Sequence, residues 1–146
     1  MLREWRLKRD IQRLEKAAAE EETELRARYE KAERDGIPLD QLGMIAREQV
    51  VTLKEYREAI EWTISEYWET RARRHGIILP PTADEGIWEM SKYDVSYRLT
   101  PKGLRLIISE VKAESARKLN VWLGIGGIII AILSLLKDLL VAALKG

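Results

Sequence analysis

Leu119-Asn120-Val121-Trp122-Leu123-Gly124-Ile125-Gly126-Gly127-Ile128-Ile129-Ile130-Ala131-Ile132-Leu133-Ser134-Leu135-Leu136 carries no charge, in a 146-residue chain of which 34% is Asp, Glu, Lys or Arg. As a helix rising 1.5 Å per residue it measures about 27 Å, close to the roughly 30 Å hydrocarbon core of a bilayer. Residues 121–136 hold ten Val, Ile and Leu side chains. Each is worth about −0.3 to −0.6 kcal/mol at a span centre, so together they favour insertion by about 4 kcal/mol, less what the Gly and Ser residues take back. Trp122 falls where the headgroups begin, a favoured place for an aromatic ring with a polar edge. A soluble helix of this kind is apolar all round and needs cover on every side, which the rest of the chain is too polar to give. The expectation is a C-terminal membrane anchor over 121–146.

Within this stretch Gly124, Gly127, Ala131 and Ser134 recur at helical spacing, with Asp138 continuing the same face. Small side chains let two helices approach closely in lipid, which predicts self-association into a homo-oligomer through this face. Beyond it, Lys137-Asp138 and the apolar Leu139–Leu144 form an amphipathic end.

Upstream the composition changes. Residues 2–35 read as one charged helix whose apolar seam is Leu7, Ile11, Leu14, Ala18, Leu25 and Ala32, interrupted at Glu21 and Arg28. That is a narrow a/d seam, thinned by alanine. Asp35-Gly36-Ile37-Pro38 is a stop, with Gly as C-terminal cap. Asp40 reads as the N-cap of a second helix reaching Arg74. Its stripe is Leu42, Ile45, Ala46, Val50, Leu53, Tyr56, Ile60, Ile64 and Tyr67, and His75-Gly76 ends it. A short connection between long helices predicts an antiparallel pair. Leu7, Ile11, Leu14, Leu25, Leu53, Ile60 and Ile64 are its expected pairing residues.

Pro80-Pro81 marks an extended linker. Alternating residues at Ile87–Met90 and Val95–Leu99 then predict a small β-hairpin. Thr100-Pro101 opens the last helix, Thr as N-cap and Pro as the first helical residue. No strong breaker follows Gly103, so this helix is expected to run into the apolar stretch, with Asn120 as its weakest point. The chain is thus expected to be mainly α, in four segments: a charged helical hairpin (1–76), a linker with β-hairpin (77–100), a juxtamembrane helix (101–120) and a transmembrane anchor with a short tail (121–146).

Function is constrained mostly by exclusion. With no Cys and one His, thiolate chemistry, disulfides and the usual zinc ligand sets are ruled out, and a net charge of +1 gives no global attraction to polyanions. Ser109-x-x-Lys112 and Ser115-x-x-Lys118 match an acyl-transfer spacing, but the companion motifs of those enzymes are missing. Arg71, Arg73, Arg74 and His75 suit the negative end of a helix dipole, and also the phosphates of lipid or nucleic acid. The first ten residues contain no apolar signal core, and Arg117-Lys118 precede the span while Lys137 is offset by Asp138. Both features predict a cytoplasmic N-terminal part. No cofactor is expected.

Tyr97-Arg98-Leu99-Thr100-Pro101-Lys102-Gly103 resembles the wing-to-helix junction of MarR-type winged-helix regulators, where a β-wing strand leads through Leu-Thr-Pro-x-Gly into a helix. The resemblance covers Trp88 to Ile108, and the helix-turn-helix that precedes the wing in that family is not evident. It implies a wing with Lys92 and Arg98 as phosphate contacts. The expected role is a non-catalytic, membrane-anchored scaffold, adaptor or sensor with the bilayer and an unidentified protein as partners. The alternatives are a pore-forming effector and a membrane-tethered nucleic-acid binder.

Overall fold

The computed structural model describes residues 2–90 and 96–145, and the side chains of the last helix as far as Ser134. The described residues form three helices, α1 (Leu2–Arg34), α2 (Leu39–His75) and α3 (Pro101–Lys145), and a two-stranded antiparallel hairpin of β1 (Trp88–Met90) and β2 (Tyr97–Leu99) that packs against α2 and α3.

α1 and α2 form the expected antiparallel pair. Of the predicted pairing residues Leu7 and Leu25 are buried, while Ile11, Leu14, Leu53, Ile60 and Ile64 are partly covered. Ala32 closes the seam near the turn. Where Ala18 and Ala19 stand opposite Leu53 and Ile60, the side chains are too short to meet, and an open groove of about 600 Å³ remains. Ion pairs tie the rims: Arg3 to Glu66 at 2.7 Å, Arg74 to Glu4 at 3.1 Å and Arg28 to Glu48 at 3.1 Å. Arg28, which breaks the apolar pattern, is therefore a rim residue. Glu21 occupies a half-covered seam position. Val50 is 67% exposed and lies off the stripe to which its spacing assigned it.

Both helices end in the same way. Ala32-Glu-Arg-Asp-Gly-Ile37 and Ala72-Arg-Arg-His-Gly-Ile77 share an Ala-x-Arg-x-Gly-Ile pattern. In each, Gly takes the left-handed conformation, at φ 69° for Gly36 and 79° for Gly76. The Gly N–H bonds to the carbonyl three residues back, and the following Ile N–H reaches the Ala carbonyl five back. These are Schellman caps. The start of α2 departs from expectation. Pro38, not Asp40, is the N-cap, with no side-chain cap bond. Its carbonyl accepts the N–H groups of Gln41 and Leu42 at 3.0 and 3.1 Å. Asp40 sits inside the first turn, where its charge suits the dipole.

The core lies where α2, the hairpin and the first half of α3 meet. Ala72, Ile87, Trp88, Leu99, Ile107 and Val111 are buried together, flanked by Trp68, Ile77, Leu79 and Leu104. The Trp88 indole N–H donates to the Pro80 carbonyl at 3.0 Å, which fixes the Pro-Pro segment across the strand. Register pairs Trp88 with Leu99 and Met90 with Tyr97. All four share one face of the ribbon. The inner pair is buried and the outer pair exposed, so cover ends halfway along the hairpin.

Thr100 caps α3 as expected, its Oγ1 accepting the Gly103 N–H at 3.0 Å. Its own N–H donates to the Ile87 carbonyl at 2.8 Å and its hydroxyl to Gly86 at 2.9 Å. Strand entry and helix start are thus pressed together. A Cβ on Gly103 would lie 2.3 Å from the Ile87 carbonyl oxygen, which explains the glycine. α3 then runs parallel to α2, from Leu99 beside Ser65 to Lys118, whose Nζ donates to the His75 carbonyl at 3.3 Å. It continues through Asn120 without a break.

Candidate membrane span and the polar cleft beside it

Between Leu119 and Ser134, no described residue packs over α3. From Leu119 to Ser134 every side chain is exposed, including Trp122 at 72% and Ile130 at 69%. Among the described residues this is the helix long and apolar enough to cross a membrane, and its most apolar window is wholly uncovered. Gly124, Gly127, Ala131 and Ser134 fall on one open face. A Cβ added at Gly124, Gly126 or Gly127 would meet nothing within 4 Å. Among the described residues, none packs closely enough to require the glycines at 124, 126 and 127. Asp138 belongs to the same helix, but its side chain lies outside the described residues.

The second site is a cleft of about 380 Å³ lined by Glu61, Ile64, Ser65, Glu89, Arg98, Leu99, Pro101 and Leu104. α2 supplies one wall, the strands another, and the start of α3 the floor. The Arg98 guanidinium bridges two carboxylates, bonding Glu89 on the paired strand through Nε and Glu61 of α2 through Nη1 at 2.6 Å. Both carboxylates compete with any phosphate for this cation. Lys92, the other residue expected to contact phosphate, lies outside the described residues.

Ser65 is the buried polar residue of the core, 2% exposed. Its hydroxyl accepts the Leu99 N–H at 2.8 Å and donates to Glu69 Oε1 at 3.0 Å. The last backbone donor of β2 would otherwise be buried without a partner. Glu69 is held above its ordinary carboxylate range. Burial is the main cause, partly offset by the Ser65 bond and by Arg73. Glu114 is held below it, chiefly by the hydrogen bond from Arg117.

Sequence reading did not single out Ser65, Glu69, Glu61 or Glu89. A serine one position from the apolar stripe is the one local signal, and it does not reveal the strand that needs its oxygen. The two Ser-x-x-Lys hydroxyls are spent on the backbone, Ser109 donating to Leu106 and Ser115 to Val111, each at 2.7 Å. Among the described residues no cluster of three His, Asp or Glu side chains is placed to hold a metal.

The basic end of α2 is packed at the base of the structure. Arg71 lies 5.4 Å from the Trp68 ring centroid and donates to the Tyr67 hydroxyl at 2.8 Å. Arg74 pairs with Glu4, and Arg73 is exposed beside Glu69. Comparison with protein-family models, curated sequences and solved structures finds no match for the chain.

Proposed function

We propose that the chain is a membrane protein held by its C-terminal helix, with a non-catalytic body that acts as a scaffold, adaptor or sensor at the bilayer surface. The single observation behind this reading is the uncovered state of residues 119–134 on a helix whose preceding half buries an apolar stripe of Ile107 and Val111 against the body. In water, fifteen exposed residues of this composition would drive aggregation; in lipid they are at home. Arg117 and Lys118 ahead of the span support a cytoplasmic position for the body.

The open Gly124–Gly127–Ala131–Ser134 face supports association of spans, since close helix approach in lipid depends on small side chains. The long charged pair α1–α2, with Leu39, Met44 and Val50 exposed at its outer end, supports a role in holding a protein partner.

The test uses the intact chain expressed in cells. It should pellet with membranes after alkaline carbonate extraction, and protease added from the body's side should leave a protected C-terminal fragment. Chain found in the carbonate supernatant would end the reading. For association, energy transfer between labelled chains diluted in vesicles should fall severalfold when Gly124→Leu and Gly127→Leu are combined. Unchanged transfer would remove that face as the contact.

A further inference from the structure

The two ends of the helical pair differ in charge. Residues 14–61 carry thirteen acidic and eight basic side chains. Residues 2–13 carry five basic and two acidic, residues 62–78 three basic and two acidic, and residues 112–118 three basic and one acidic. The fold gathers these three basic segments at one end: Glu4 of α1 meets Arg74 of α2 at 3.1 Å, and Lys118 of α3 reaches the His75 carbonyl at 3.3 Å.

Exposed apolar side chains lie at this same end. Leu2 and Trp5 open α1, and Trp5 carries the Arg9 guanidinium 4.9 Å from its ring centroid. Beyond the Gly76 cap the chain turns Ile77 onto the core and leaves Ile78 92% exposed. Leu119, where the apolar run begins, directly follows Lys118. A lysine side chain in a helix points back towards its N-terminus, so the end of α2 stands about one turn, roughly 5 Å, short of the apolar run. The headgroup layer on one side of a bilayer is about that thick, roughly 5–8 Å.

We infer that this end of the body is a lipid-binding face, seated on anionic headgroups through Arg6, Arg9 and Arg73, with Leu2, Trp5 and Ile78 dipping to the acyl boundary. The inference rests on the membrane reading above and adds a second, reversible contact to it. Cations attracted to an anionic leaflet and aromatic or aliphatic side chains at its boundary are the two usual ingredients of such contacts. The acidic outer end is held away from the same surface.

The chain has no cysteine, so a nitroxide can be placed at one position at a time in the full-length protein. Labels are set at Trp5→Cys and Ile78→Cys in the face, Leu39→Cys at the outer tip and Leu123→Cys in the span. Each protein is reconstituted into vesicles of phosphatidylcholine alone or mixed with phosphatidylserine, and collision with oxygen is compared with collision with a water-soluble nickel chelate. Labels 5 and 78 should move from water into lipid when phosphatidylserine is present, while 39 stays in water and 123 stays in lipid throughout. Arg6→Glu with Arg73→Glu should return 5 and 78 to water. Each positive charge lost changes the seated-to-lifted ratio about fivefold, and raised salt acts in the same direction. If 5 and 78 remain as wet as 39 with phosphatidylserine present while 123 is immersed, the face is refuted and the anchor stands. If 123 itself is in water, the membrane reading has failed. If duplex DNA, and not anionic vesicles, shields 5 and 78, the face belongs to nucleic acid and the lipid assignment is overturned.

Discussion

α3 is one helix with two kinds of surface. From Pro101 to Lys118 it is amphipathic: Gly103, Ile107 and Val111 are buried, while Lys102, Arg105 and Lys112 face outward. From Leu119 to Ser134 the apolar residues go all the way round and no described residue covers them. The halves differ in composition as well as in distribution, with seven charged side chains in residues 101–118 and none in residues 119–134. A stripe finds a partner within the chain, whereas a full circumference needs a solvent. That difference predicts how each half responds to substitution.

The largest expected effect comes from charging the second half. Ile129→Lys with Ile132→Lys costs about 2.5–3.5 kcal/mol per lysine, more in sum than the apolar run supplies. Carbonate-resistant membrane pelleting should be lost outright. Retention at wild-type levels would show that the second half is not solvated by lipid.

Next comes truncation in the first half. Ile107 is wholly buried, so Ile107→Ala should destabilise the body by about 2–5 kcal/mol. Ile129→Ala, at a 52% exposed position, should leave body stability within about 0.5 kcal/mol. Denaturant unfolding of the detergent-solubilised chain, followed by Trp fluorescence, checks both. Equal effects would erase the distinction between the halves.

The glycines sharpen the comparison. Gly103→Ala drives a methyl group into the Ile87 carbonyl and should cost about 1–3 kcal/mol. Gly126→Ala enters open space and should be neutral, or stabilise the helix by about 0.5–1 kcal/mol as alanine replaces glycine. The same unfolding measurement ranks them.

The smallest effect is electrostatic. A carboxyl whose folded value is raised binds its proton more tightly in the folded state. Glu69 therefore contributes most when protonated, below its ordinary value of 4.5, and loses that contribution as pH climbs through the raised value. Glu69→Gln keeps an acceptor for Ser65 and should raise stability at pH 7 by at most about 0.5 kcal/mol, the partly exposed carboxylate being screened. The gain should vanish in acid. A gain that grows as pH falls would reverse the assignment.

The architecture was legible where the backbone dictates it. Gly36 and Gly76 occupy left-handed positions that few other residues tolerate, so both helix ends stand out in the sequence. Thr100-Pro101 marks the last helix for a similar reason, since a hydroxyl cap and a residue lacking an N–H both suit a helix start. Asp40 misled because capping is a preference among several solutions: the Pro38 carbonyl alone satisfies two donors there. The cleft was not legible. Glu61 and Arg98 are 37 residues apart, and Ser65 and Leu99 are 34 apart. No local pattern announces a pair that only tertiary packing brings together. The charge difference between the two ends of the hairpin was present in the sequence, but antiparallel folding was needed to bring residues 2–13 beside residues 62–78.

The unbroken backbone of α3 has a mechanical consequence. Ile107 and Val111 grip the helix at one end, and 45 residues at 1.5 Å each make a rod of about 67 Å. With its upper third clamped, it acts as a lever: a tilt or axial turn imposed on the free arm arrives at the clamp as torque on Trp68, Ala72 and the strands. Without a hinge at Asn120, motion of the arm is not absorbed before it reaches the core.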